Sequence, residues 1–489
     1  MARMTFDRRR LLQGTAALAM AALGPRSLFA QPAARSASSP SAPLPPRGEF
    51  VVRGATVLTM DPAVPDLASG DVHVRDGSIV AVAQRVEAPA AQVIDGAGMI
   101  CIPGFIDTHL HMWNALFRLF VRADNPALGY FPVTARLGPL MQPEDNYRSA
   151  RFAAIDAIAA GITTLQNWSH NTRSAEHADA ELSAMRDMGI RGRFAYGTPV
   201  GLADDAAMDF TGLARIKRDW MPDKDNMLTL GICSRNLGAL TIGGGAATAS
   251  RGVLTIEQIK RDWDGARALG LPITMHTSGA SPITELDRAG LLGPDVQFVH
   301  PLLTTAEERA ILKARGSSYS MSPLLEARRA SQLGVIQLGE LLEAGVKVSL
   351  STDHIASMSC DPFSSMRILF ALHLHRFGTR MPLTLKRLLQ LATIDGAVDL
   401  GIADRTGSIT PGKGADLVLL RATDTNLTPV GDPYEAVVSF AMPTNVDTVV
   451  IDGRILRRAG KFTAFDAAQI IAEARQAATA LRDKADWPT

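Results

Sequence analysis

Apolar and polar positions along this chain fall into three regimes. Residues 51–98 alternate short β-prone runs with turns and show no helical period. Asp76-Gly77 stands between two alternating runs and predicts a two-residue hairpin. From residue 102 to about residue 400, apolar strand-like runs alternate with helical segments. The stretch 102–111 opens this region. Further strands are predicted over 162–167, 190–196, 227–232, 272–276, 296–300, 317–321 and 346–353. Helical patterns over 145–160, 174–188 and 255–269 lie between them, the last starting at a Thr255-x-x-Gln258 capping box. Eight βα repeats with near-continuous apolar strands predict a parallel sheet closed into a distorted (β/α)8 TIM barrel, an α/β fold. After Leu400 the β pattern resumes, with a second hairpin signal at Asp452-Gly453. Two β-only flanks around one barrel predict a composite β-sandwich. A helix over 469–484 ends the pattern. The expected organisation is a leader over 1–30, a linker over 31–48, a β-sandwich from 49–100 and 405–465, a barrel over 101–404, and a C-terminal helix within 466–489.

Composition narrows the function classes. The chain has 489 residues, 46% hydrophobic and 20% charged, with a net charge of +1. A sizeable core is possible, and no charge bias points to nucleic acid. A small-molecule substrate is the expected partner. Cys101, Cys233 and Cys360 are scattered and odd in number, which argues against a disulfide framework and a thiolate metal site. Near the start, Arg8-Arg9-Arg10-Leu11-Leu12 precedes a short apolar segment and the small residues before Gln31. The apolar segment is too short for a stable membrane span. The twin arginines resemble a twin-arginine export signal and imply a periplasmic or exported protein, with no membrane attachment after cleavage.

The candidate chemistry begins at His109-Leu110-His111. Residues i and i+2 on a strand face the same side, so two imidazoles converge there. His276 ends the predicted fifth strand, His300 the sixth and Asp353 the eighth. Four of the chain's ten histidines thus end predicted barrel strands. Active sites of such barrels lie at the C-terminal strand ends. Neutral imidazoles with one carboxylate suit a divalent metal ion: zinc, with iron or manganese as alternatives.

Several stretches together carry a family resemblance. They are Pro103-Gly104-Phe105-Ile106-Asp107-Thr108-His109-Leu110-His111, Met275-His276, Phe298-Val299-His300 and Leu350-Ser351-Thr352-Asp353, followed by Gly407-Ser408-Ile409 and Gly412-Lys413-Gly414-Ala415-Asp416-Leu417-Val418. In this order they resemble the amidohydrolase superfamily, in the branch of cytosine deaminase, guanine deaminase and the s-triazine hydrolases, over about residues 50–460. The resemblance implies that His109, His111, His276 and Asp353 hold one metal. It also implies that Asp353 takes a proton from the attacking water and that His300 orients the water or the substrate. Binuclear relatives use a lysine on the fourth strand; residues 227–236 contain none, which implies one metal.

One position departs from the family. Deaminases of this branch carry His-x-x-Glu on the fifth strand, and here the stretch is His276-Thr277-Ser278-Gly279. Glu285 lies further along in a predicted helix. Glu326, beyond the seventh strand, is a candidate substitute acid. Trp113, Asn114, Trp168, His170 and His354 are further substrate-binding candidates from the loops after the strands. The expected activity is hydrolysis of a non-peptide carbon–nitrogen bond in a cyclic or heterocyclic substrate. Deamination with a substitute acid such as Glu326 is one alternative, and an exported metal-retaining binding protein without turnover is another. Relatives often oligomerise, so a homo-oligomer is a further possibility.

Overall fold

A computed structural model describes residues 43–199, 206–222, 227–237, 254–277, 281–300, 302–333 and 335–487. The expected leader and Gly279 lie outside the described residues. Seventeen strands among the described residues form two sheets. The first sheet takes β1 (Phe50–Val57), β2 (Leu67–Arg75), β3 (Ser78–Ala83), β4 (Gln92–Asp95) and β5 (Met99–Pro103) from before the barrel. The second is the barrel: β6 (Phe105–Leu110), β7 (Ile162–Ser169), β8 (Arg191–Gly197), β9 (Leu228–Ser234), β10 (Ile273–His276), β11 (Val296–Val299), β12 (Ser318–Met321) and β13 (Lys347–Leu350). After the barrel, β14 (Leu417–Arg421), β15 (Val446–Ile451), β16 (Arg454–Arg458) and β17 (Lys461–Phe462) complete the first sheet.

The eight barrel strands are parallel and follow one another in sequence order. A helix follows each of them, as the alternating pattern predicts. Local chemistry sets several helix starts. The Thr255 side chain accepts from Gln258 N–H while the Gln258 side chain accepts from Thr255 N–H, and Thr305 and Glu308 repeat the arrangement. Asp361 caps the helix Pro362–Phe377 by accepting from Ser364 N–H.

The two flanks meet at one seam. β5 pairs antiparallel with β14, with Pro103 opposite Leu417 and Met99 opposite Arg421. The result is a nine-stranded sheet that returns on itself, because Ser78 bridges Gly414. Its own core includes Phe50, Val52, Val72, Val74, Ile409, Leu417, Leu419 and Val450. Both expected hairpins form. Asp76 and Gly77 have φ 51° and 89°, and Asp452 and Gly453 have φ 54° and 71°. Two successive positive φ values match the twist of the strands they join.

The stretch 102–111 differs from the sequence expectation. It is not one strand; it changes sheets at Gly104. β5 ends at Pro103 in the flanking sheet and β6 starts at Phe105 in the barrel. Only glycine fits between them. A Cβ on Gly104 would stand 2.1 Å from Thr163 Oγ1 and 2.6 Å from Thr163 Cβ. Nearby, a buried ion pair joins barrel to flank: Arg191 Nε donates to Asp416 Oδ2 at 2.7 Å. Asp416 also accepts from Thr406 Oγ1 and Asp452 N–H, both at 2.7 Å. Removing one partner of such a pair costs about 3–5 kcal/mol, since the other charge is left buried and unmatched.

The barrel interior departs from the usual aliphatic layers. Thr108 Oγ1 contacts Ser320 Oγ and Ser349 Oγ, each at 2.8 Å. Gln166 Nε2 donates to Gln297 Oε1 at 2.7 Å, and Gln297 Nε2 donates to Asp399 Oδ2 at 2.7 Å. Such a network is stable only because its buried members satisfy one another. No helix among the described residues is long and apolar enough to cross a membrane.

Because β-branched Thr163 has little freedom to move aside, Gly104→Ala should lower unfolding stability by about 1–3 kcal/mol. Denaturant titration measures this. An unchanged midpoint would show that the sheet change does not depend on glycine.

Candidate metal centre

The site sits where barrel strands end. β6 brings His109, and His111 follows one residue past its end. His276 is the last residue of β10, His300 follows β11, and Asp353 lies three residues beyond β13. His109 Nε2 lies 3.4 Å and His111 Nε2 3.3 Å from Asp353 Oδ1. The Nε2 atoms of His276 and His109 are 3.2 Å apart. His300 Nε2 stands 3.6 Å from Asp353 Oδ2, and its ring stacks on that of His276 at 5.4 Å. The ligand atoms of His109, His111 and Asp353 lie within 4.8 Å of one another, as do those of His109, His276 and His300.

The donor set fits a divalent cation. Burial pushes His109 down to about 3, and burial with the facing imidazoles holds His276 well below its ordinary value. Both rings are therefore neutral at pH 7 and able to ligate. Burial opposes ionisation of Asp353, but the neighbouring imidazoles of His354, His109 and His111 outweigh it, and its pKa is well below the ordinary value. His111 Nδ1 faces the Trp168 carbonyl at 3.1 Å. A carbonyl only accepts, so Nδ1 carries the proton and Nε2 turns its lone pair to the centre. Nitrogen lone pairs and a carboxylate gathered this closely repel one another unless a cation lies between them.

Supporting residues hold the ligands in place. The buried Asp107 accepts backbone N–H bonds from His109 at 3.1 Å and Thr352 at 3.2 Å, as well as the Thr352 hydroxyl. It thereby ties β6 to the segment that carries Asp353. Burial raises its pKa to about 7 against these bonds. Glu181 does similar work at the end of β7, accepting from Asn146 Nδ2, Asn167 Nδ2 and Ser169 Oγ at 2.7, 2.7 and 2.9 Å. The backbone is strained at two of the site residues. His300 and Asp353 have φ 67° and 68°, a region that costs a non-glycine residue about 1–3 kcal/mol and that clusters at functional sites.

The other sequence candidates separate into wall and support. Trp168 is on the wall: its ring centroid is 4.0 Å from that of His276 and 4.7 Å from that of His109. His170 packs edge-on to His111 at 4.7 Å. His354 stacks on Tyr130 at 4.1 Å, and Tyr130 lies 6.3 Å from His111. Asn114 is buried and donates to the Tyr130 hydroxyl at 2.9 Å. Trp113 lies in an apolar cluster with Leu116, Phe117, Val133 and Leu137, and its ring meets His170 from behind at 5.1 Å. Glu326 is buried against His300, with Oε1 3.1 Å from Nδ1. Glu285 is exposed on the helix Ile283–Arg288, away from this group. Sequence reasoning missed Tyr130 and Glu181. Neither sits in a motif, and their partners are distant in sequence.

The amidohydrolase family pattern matches residues 100–456. This chain belongs to the amidohydrolase family. It is a hydrolase acting on carbon–nitrogen bonds other than peptide bonds. It is 28% identical over 456 residues to a 5'-deoxyadenosine deaminase of Methanosarcina acetivorans, covering 90% of this chain and 99% of that one. A 5-methylthioadenosine/S-adenosylhomocysteine deaminase of Pelotomaculum thermopropionicum is 28% identical over 457 residues, covering 88% and 98%. Among solved structures, an adenosine deaminase from Xanthomonas campestris with bound zinc aligns with TM-score 0.75 and 21% identity, over 90% of this chain and 100% of that one. An atrazine chlorohydrolase from Arthrobacter aurescens complexed with zinc aligns with TM-score 0.76 and 20% identity, over 88% and 100%. These structures share the barrel with its flanking sheet.

Loss of a ligand should cost more than the roughly 10- to 100-fold loss typical of a supporting partner. Purified His276→Ala should therefore hold far less divalent metal than the wild type by elemental analysis. Unchanged metal content would remove His276 from the ligand set.

Proposed function

We propose that this amidohydrolase uses a single zinc ion, held by His109, His111, His276 and Asp353, to hydrolyse a carbon–nitrogen bond of a heterocyclic substrate. An exocyclic amine on a purine-type ring is the first candidate for the leaving group. The observation that carries the proposal is the convergence of three neutral imidazoles and one carboxylate at the barrel mouth, beside His300. Relatives named for deamination of 5'-deoxyadenosine and 5-methylthioadenosine support the substrate class. The absence of lysine from β9 supports a single ion.

A bound zinc ion would polarise the reacting groups and lower the pKa of water from 15.7 toward about 7. The protein's own groups do the rest. Asp353, with Oδ2 toward His300, accepts the proton of the attacking water. His300 Nε2 accepts a hydrogen bond from that water and fixes its approach. The water oxygen bonds to the ring carbon as the carbon–nitrogen bond breaks, and Asp353 returns its proton to the departing nitrogen. Buried His109, His111 and Asp353 and the Trp168 wall keep other water from the reacting atoms. The family's fifth-strand glutamate corresponds to Gly279, so no acid at that position assists the leaving nitrogen.

Zinc-loaded protein should release ammonia from 5'-deoxyadenosine or 5'-methylthioadenosine, and chelation should abolish the release. Metal-loaded protein that releases no ammonia from any aminopurine or aminopyrimidine, and opens no cyclic amide, would contradict the proposal and favour a binding protein. Export by the twin-arginine route is part of the same reading, resting on Arg8-Arg9 ahead of the apolar segment. Replacing Arg8 and Arg9 with lysine should strand the protein in the cytoplasm. Undiminished periplasmic delivery would exclude that route.

A further inference from the structure

Glu326 is the acid the reaction scheme above leaves unused. It lies on the helix Pro323–Leu333, directly after β12, and is 1% exposed. Its Oε1 accepts from Ser322 N–H at 2.8 Å and faces His300 Nδ1 at 3.1 Å. Its Oε2 is buried without a hydrogen-bond partner among the described residues. A buried carboxylate with one oxygen unmatched is costly, and capping the Ser322 N–H alone does not require a charge. The bond to His300 does benefit from one, because a bond to an ionised acceptor is roughly twice as strong as a neutral one.

We propose that Glu326 is a positioning residue that acts through His300. By accepting a hydrogen bond from Nδ1–H it fixes the imidazole as the Nδ1–H tautomer. Nε2 then presents its lone pair on the side of Asp353, where the attacking water is to be held. His300 needs such a hold, because its backbone is in the left-handed region and its ring is otherwise steadied by the stack on His276. The arrangement runs in line: Glu326 Oε1, His300 Nδ1, His300 Nε2, Asp353 Oδ2. This proposal rests on the metal-hydrolase reading for its use of the water. The hydrogen bond itself can be tested apart from turnover.

Glu326→Gln keeps an oxygen that can serve Ser322 and His300 and removes the charge. In zinc-loaded wild type, proton spectra in water should show a downfield imidazole N–H resonance that is missing from His300→Gln. Glu326→Gln should move that resonance upfield. The same variant should keep wild-type zinc content and KM for 5'-deoxyadenosine while kcat for ammonia release falls about 10- to 100-fold. Glu326→Asp, which keeps the charge, should recover part of the loss. A resonance unchanged in Glu326→Gln, or zinc content lost together with activity, would overturn the positioning role. If Glu326→Gln does not fold, wild type against His300→Gln decides: no resonance belonging to His300 overturns the proposal. A wild type inactive on 5'-deoxyadenosine counts against the functional reading and leaves the spectral comparison to decide this one.

Discussion

The barrel closes through the backbone of His109, His111 and Asp353, three of the residues proposed to hold the metal. β6 and β13 are joined beyond the end of β13, where Leu110 bridges Asp353. Asp353 N–H donates to the His109 carbonyl at 2.9 Å, and His111 N–H donates to the Asp353 carbonyl at 2.8 Å. The backbone that shuts the sheet is therefore the backbone that aims three of the metal-facing side chains. Asp107 reinforces the seam from within, bonding to His109 and Thr352 on its two sides. The left-handed φ at Asp353 is the conformational cost of this arrangement. Strain of about 1–3 kcal/mol persists only where surrounding bonds over-determine it, and here they do.

A second constraint comes from below. The barrel floor is hydrogen-bonded through Thr108, Gln166, Gln297 and Asp399, and the apolar core lies outside the barrel, between strands and helices. Directional bonds on the floor and a seam at the mouth leave the strands little freedom to slip in register. That rigidity suits a site whose donor atoms must stay a few ångströms apart.

Much of this was legible in the chain. Period and length marked the eight barrel strands, because each is an apolar run bounded by turns. Asp76-Gly77 and Asp452-Gly453 marked the hairpins, because few residue pairs tolerate two positive φ values. The clustering of His109, His111, His276, His300 and Asp353 could be read from strand ends, since the C-terminal end of a barrel strand is a fixed address. The sheet change at Gly104 was not legible. Residues 102–111 carry a β pattern broken only by Pro103-Gly104, and the nearness of Thr163, a tertiary fact, shows why glycine is required at the change of sheet. Glu181 serves Asn146 and Asn167 on neighbouring elements, and Tyr130 meets His354 across the barrel mouth. Such pairings leave no trace in local periodicity. Trp113 and Trp168 looked alike as loop aromatics, yet one backs the site in an apolar cluster and the other forms its wall.

The strand ends thus gather imidazoles and a carboxylate that suit a divalent ion. The family resemblance implies a fifth-strand acid where this sequence has Gly279, while Glu326 stands behind His300 on the seventh unit. The central claim is that one zinc ion sits among His109, His111, His276 and Asp353. It is tested most directly by anomalous diffraction at the zinc edge from crystals of the zinc-loaded protein. The account predicts one strong anomalous peak within bonding distance of all four side chains. A peak elsewhere, two peaks, or none at this position would contradict it.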